Sequence, residues 1–102
     1  MVEGVDLDFL NIVIEVFLLE MPSRLESLRS SLARGDTAAV RDQAQSMKWG
    51  GTFIGVSRFA GLCRELEVLA LTGGIAGAAG LLSEIEAEYV RIEQDLRQRL
   101  GR

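Results

Sequence analysis

LSEIEAEYVRIEQDL (residues 82–96) decides the fold. Its apolar residues Leu82, Ile85, Tyr89, Ile92 and Leu96 recur at alternating spacings of three and four. Glutamate, arginine, glutamine and aspartate fill most of the intervening positions. That period belongs to an α-helix with one buried seam, the pattern of a helical bundle. The segment reads as a long helix from about Ile75 to Leu100.

The same period runs backwards through the chain. Phe59, Leu62 or Cys63, Leu66 and Leu69 form an inner stripe on a helix that Ser57 is placed to cap. Val40, Ala44, Met47, Gly51 and Ile54 form another, on a helix from Thr37 to Gly51 or slightly beyond, with Asp36 as its cap. Leu25, Leu28 and Leu32 line a helix that starts at Pro22, a natural first-turn residue, and ends at Gly35. A first segment, Asp6 to Glu20, has Asp6 as N-cap. Its Ile and Val content also suits a strand, but Asp8, Asn11 and Glu15 fall at helical spacings and make one polar stripe. Its apolar arc is unusually wide, which places it under cover or at an interface. Pro22, Gly35-Asp36, Gly55 and Gly73-Gly74 divide these five segments, and short connections make consecutive helices antiparallel neighbours. The expected class is all-α: an antiparallel four-helix bundle with an additional N-terminal helix covering one end. Residues 1–102 are read as one domain.

Composition narrows the function. Nearly half the residues are apolar and only one is proline, so an ordered chain is expected. A net charge of −4 leaves no basic excess to displace counterions from nucleic acid. The apolar run Phe9–Met21 is interrupted by Asn11, Glu15 and Glu20 and is too short to span a bilayer. Acidic residues precede it where a secretory signal would be basic. Cys63 is the only cysteine and there is no histidine. Disulfide, zinc and Cys–His chemistry are therefore all disfavoured, and no cofactor or metal is expected. The glutamate pairs Glu65/Glu67 and Glu84/Glu86 lie on different helix faces, so neither suggests a two-carboxylate site. A reducing, cytoplasmic setting fits.

On the third helix, Arg41, Gln45, Lys48 and Thr52 make a stripe beside the core stripe, and Trp49 lies one turn after Gln45. Two glycines follow, Gly50 and Gly51, each unfavourable in a helix by about 1 kcal/mol relative to alanine. Their presence together points to a steric need for small residues. Taken singly, Gln45 and Lys48 are ordinary solvated side chains, and a residue such as Trp49 is more often a packing residue than a binding anchor, although an exposed Trp also serves as a hot spot.

Taken together these residues resemble the histidine-containing phosphotransfer (HPt) domain. The family carries Ala-His-x-Leu-Lys-Gly; the chain has Ala44-Gln45-Ser46-Met47-Lys48-Trp49, then Gly50-Gly51-Thr52-Phe53-Ile54-Gly55. The likeness extends to Asp6-Leu7-Asp8-Phe9-Leu10, Phe17-Leu18-Leu19-Glu20-Met21-Pro22, Gly35-Asp36, Leu62-Cys63-Arg64-Glu65-Leu66-Glu67 and Glu88-Tyr89-Val90-Arg91-Ile92. The resemblance implies a phosphorelay domain that docks the receiver of a response regulator or hybrid sensor kinase. Arg41, Gln45, Lys48, Trp49, Gly50 and Thr52 would form the docking and phosphoryl-supporting surface. It also implies that Gln45 stands at the phosphoacceptor position and Trp49 at the glycine. An amide nitrogen is nearly non-basic, so transfer chemistry is not expected. A non-catalytic binding module, or an engineered bundle with a new interface around Trp49, are the other readings. Self-association through the N-terminal helix or Trp49 is a further expectation.

Overall fold

Four helices carry the chain in a computed structural model that describes residues 7–73 and 75–101. They are α1 (Leu7–Arg34), α2 (Thr37–Ile54), α3 (Ser57–Leu71) and α4 (Ala78–Arg99), and no strand occurs among the described residues. Asp6, expected as an N-cap, and Gly74 lie outside the described residues. Each helix packs on two others: α1 on α2 and α4, and α3 on α2 and α4. The four seams meet in one core that includes Phe17, Leu28, Met47, Phe59, Leu66 and Ile85. Phe17 anchors it with an edge-on contact to Phe59, ring centres 5.8 Å apart.

The expected break at Pro22 is absent. The first two segments form one 28-residue helix that runs through the proline. Proline removes one amide donor, which strands the carbonyl four residues earlier, at Leu18. Here the Tyr89 hydroxyl donates to the Leu18 carbonyl oxygen at 3.3 Å, from α4 into α1. Both residues are buried, so water cannot make that bond instead. Packing favours continuity as well, since Ile14, Phe17, Leu18, Met21, Leu25 and Leu28 form an unbroken inner stripe across Pro22. The expected covering helix is therefore the N-terminal half of α1. Burial, then the charge on Glu93, raises the Tyr89 pKa and keeps the phenol protonated as a donor.

The other boundaries follow local chemistry. Asp36 caps α2, its carboxylate accepting from the Ala39 amide at 3.1 Å. Gly55 ends α2 with φ of 81°. The amides of Gly55 and Val56 return to the carbonyls of Thr52 and Gly51, a paired closure of the last turn. The chain then enters α3 directly. Val56 occupies the cap position expected for Ser57, because its amide is already committed to Gly51 and its carbonyl accepts from Ala60. The last helix starts three residues later than Ile75, after Gly77 with φ of 88°.

Two measurements check this packing. Tyr89→Phe is expected to destabilise the protein by about 1 kcal/mol, the low end for orphaning a buried acceptor, given the long bond. In a Pro22→Ala background the restored amide takes over the Leu18 carbonyl, so the same change has a smaller effect in chemical denaturation. Equal losses in both backgrounds would show that the hydroxyl does not serve the proline gap. Separately, Cys63 is fully buried, and burial pushes its thiol from 9.0 up to about 12. A thiol raised in this way stabilises the fold fully below 9.0, and that contribution is lost as pH climbs towards 12. Labelling by a thiol reagent is expected to be slow until denaturant is added. Stability above pH 9 is expected to fall more steeply for the parent than for Cys63→Ala.

Candidate functional site

Helix α2 presents three faces. Val40, Ala44, Met47 and Gly51 point to the core. Gln45 is exposed on the outer side, with Lys48 to one side of it and Trp49 to the other. Arg41, one turn before Gln45, is partly covered and its Nε donates to Asp42 at 3.2 Å. Thr52 is exposed two turns after Gln45.

Lys48 reaches towards α3. The Lys48 ammonium donates to Glu67 of α3 at 2.9 Å, with the two side chains only 17% and 13% exposed. It also lies 5.4 Å from the centre of the Trp49 ring, within cation–π range. The lysine charge is thus neutralised by α3 and shared with the indole. No hydrogen bond joins Gln45 to Lys48 among the described residues. Helical spacing places the two on one stripe, but the structure engages Lys48 elsewhere. Glu67 was absent from the expected site. Its signal was present in sequence, a carboxylate on the helix that follows α2.

Trp49 and Phe53 are 62% and 67% exposed, one turn apart, on the side of α2 that faces α1. With Val13, Val16 and Phe17 of α1 they line an open apolar groove of about 380 Å³, floored in part by Gly50. Sequence reasoning singled out Trp49 but missed Phe53 and the α1 side. The apolar width of the N-terminal segment was the available clue.

The paired glycines separate. A Cβ on Gly51 would lie 2.9 Å from the Phe59 ring, where α2 and α3 meet. A Cβ on Gly50 would meet Phe17 and Met21 at 3.7 Å and 3.9 Å, which are ordinary contacts. Internal packing therefore requires only Gly51. At Gly50 the missing side chain keeps the groove open.

Next to this groove is a polar hollow of about 310 Å³ lined by Ser23, Ser27, Ser46, Arg24, Asp42 and Gln43. Arg24 bridges the helices, donating to Ser46 at 2.6 Å and pairing with Glu20 at 3.0 Å. On the far side of the bundle Glu88 is buried and held by Arg58, at 3.3 Å, and by Arg91. This cluster ties α3 to α4 and lies away from Gln45. No cluster of three or more metal-ligating side chains occurs among the described residues. No helix there is long and apolar enough to cross a membrane.

The Hpt domain family model matches residues 13–95. The chain belongs to the Hpt domain family. It is similar to the crystal structure of histidine-containing phosphotransfer protein B (HptB) from Pseudomonas aeruginosa PAO1. The identity is 32% over 87% of this chain and 77% of that one, with a TM-score of 0.85. A comparison with curated protein sequences gives no match. Hpt domains are phosphotransfer carriers of phosphorelays rather than true enzymes, and they interact with receiver domains.

Substitution of the glycines tests the division of labour between them. Gly51→Ala is expected to destabilise by about 1–3 kcal/mol through overpacking against Phe59. Gly50→Ala is expected to be neutral or to stabilise by up to about 1 kcal/mol through helix propensity. Urea midpoints of the two variants compare them directly.

Proposed function

We propose that this chain is an Hpt domain that docks a receiver without accepting its phosphoryl group. The carrying observation is Gln45, exposed on the outer face of α2 at the position the family motif gives to the acceptor, in a chain with no histidine. The glutamine amide offers no nucleophilic nitrogen, so attack on an aspartyl phosphate has no starting point. Lys48, which would offset charge on a phosphorylated neighbour, is engaged by Glu67 and Trp49.

The reading takes residues 1–102 as one cytoplasmic domain, an antiparallel four-helix bundle. Contacts that run in opposite directions along neighbouring helices support this. Gly50 faces Phe17 and Met21, while Ser46 bonds Arg24. Gly51 faces Phe59, while Lys48 bonds Glu67. Arg41, Gln45, Lys48, Trp49, Gly50 and Thr52 form the docking surface. The groove beside Trp49 supports retained binding without chemistry: an exposed aromatic over an apolar cleft is a recurrent anchor for a protein partner.

Transfer from a phosphorylated receiver tests the reading. The parent chain is expected to acquire no label that is stable to base and labile to acid; any such label overturns the proposal. Gln45→His is expected to recover slow transfer. Adding Trp49→Gly removes a ring one turn away and frees Lys48 from it. The double variant is expected to be faster by on the order of 10²-fold, the scale of a misplacement of about 1 Å. Equal rates for single and double variants would show that Trp49 does not obstruct the approach to position 45.

A further inference from the structure

Gln45 stands exposed on the outer face of α2, and no hydrogen bond holds its amide among the described residues. The charges beside it are already paired. Lys48 donates to Glu67 at 2.9 Å and Arg41 to Asp42 at 3.2 Å. Neither cation is left to stabilise a phosphoryl group kept on this chain. Trp49, one turn later, is 62% exposed. A carboxamide has a different use at such a position. Its oxygen accepts a hydrogen bond from water while its nitrogen donates to a phosphoryl oxygen. That pair of bonds aims the water at phosphorus, which is how a glutamine serves the hydrolysis of GTP.

We propose that Gln45 orients a water in this way against a docked receiver, and that the chain hydrolyses the receiver's aspartyl phosphate. The inference rests on the docking reading above and adds an activity to it. The water oxygen bonds to phosphorus as the bond from phosphorus to the aspartyl oxygen breaks, and the electron pair of that bond stays on the carboxylate. One water proton passes to a phosphoryl oxygen, so phosphate leaves as its dihydrogen anion, and nothing is oxidised or reduced. No phosphoryl group remains on this chain, so the engagement of Lys48 takes nothing from the reaction. Room for the water is the geometric requirement. A nucleophile attacks from about 3–3.5 Å, and an imidazole would span that gap itself. A water held by the amide adds an O–H···O bond of about 2.7–2.8 Å. The glutamine amide reaches about as far from the backbone as the far nitrogen of an imidazole, so the receiver has to stand back by the thickness of a water. Trp49 sets that spacing: an indole where the family motif has a glycine holds the partner off position 45. The two departures from the motif thus serve one reaction, with Gln45 as its catalytic residue and Trp49 as a positioning residue.

The test uses the full chain and the receiver domains of the source organism, each labelled on aspartate by a small acyl phosphate and freed of excess donor. Isothermal titration calorimetry reads binding, and release of inorganic phosphate reads hydrolysis. At saturating chain, a receiver that binds is expected to lose its label faster by at least about tenfold, a small part of what positioning can supply, with no label on this chain. In heavy-oxygen water the isotope is expected in the phosphate and not in the aspartate. Gln45→Ala and Gln45→Glu are expected to abolish the acceleration while binding persists. Trp49→Ala is expected to lower the rate at saturation whatever its effect on affinity, and Trp49→Phe to restore it; a Trp49 that served binding alone would move only the affinity. Binding without faster decay, or acceleration that survives Gln45→Ala, overturns hydrolysis and leaves the docking reading standing. An unchanged saturated rate in Trp49→Ala overturns the spacing role. Failure of every receiver to bind overturns both docking and hydrolysis.

Discussion

One hydrogen bond sits where the architecture could have divided. Proline at position 22 leaves the Leu18 carbonyl without its helical donor, in a place water does not reach. The Tyr89 hydroxyl fills that vacancy from the opposite helix. With it, α1 crosses the proline as one rod and both halves of its inner stripe address the same core. The same ring packs beside Phe17, with centres 6.0 Å apart, and Phe17 in turn touches Phe59. Three helices thus converge on one aromatic group, and the groove lined by Phe17 inherits its shape from that convergence.

Lys48 brings little free charge to the surface around Gln45. Glu67 takes the Lys48 charge and the indole of Trp49 shares it. Facing outward beside the glutamine amide are the Trp49 ring and the polar side chains of Asp42, Ser46 and Thr52. Under the proposed reading, an engaged lysine suits holding a partner better than stabilising a phosphoryl group, for which preorganised positive charge is the main protein contribution. Family membership is compatible with the proposed loss of transfer, because the residues that build the bundle and those that would run the reaction occupy different faces of the same helix.

Most of the fold was legible in the residues because heptad-like spacing records burial directly: Leu82, Ile85, Tyr89, Ile92 and Leu96 are all in the core. The Pro22 boundary was misread because local propensity sees the missing amide and not the hydroxyl that arrives from 67 positions later, from Pro22 to Tyr89 in sequence. The start of α3 was misplaced by one residue for a related reason. Ser57 has the chemistry of a cap, but the closing turn of α2 fixes Val56 first. At the site, residues on one helix were foreseen from their periodicity, whereas Glu67 and the α1 wall of the groove come from other helices. No spacing rule within α2 reports which neighbour it will face.

The unbroken length of α1 has a mechanical meaning. Twenty-eight residues at 1.5 Å each span about 42 Å, and the longest dimension of the described structure is 42 Å. A rod with no joint at its midpoint does not absorb a push at one end by folding there. A load applied at Phe9 is carried as bending and axial stress past Pro22 to the Gly35 turn, where α1 hands over to α2. The two ends of the domain are therefore coupled through the stiffness of α1, to which the Tyr89 bond near its midpoint contributes.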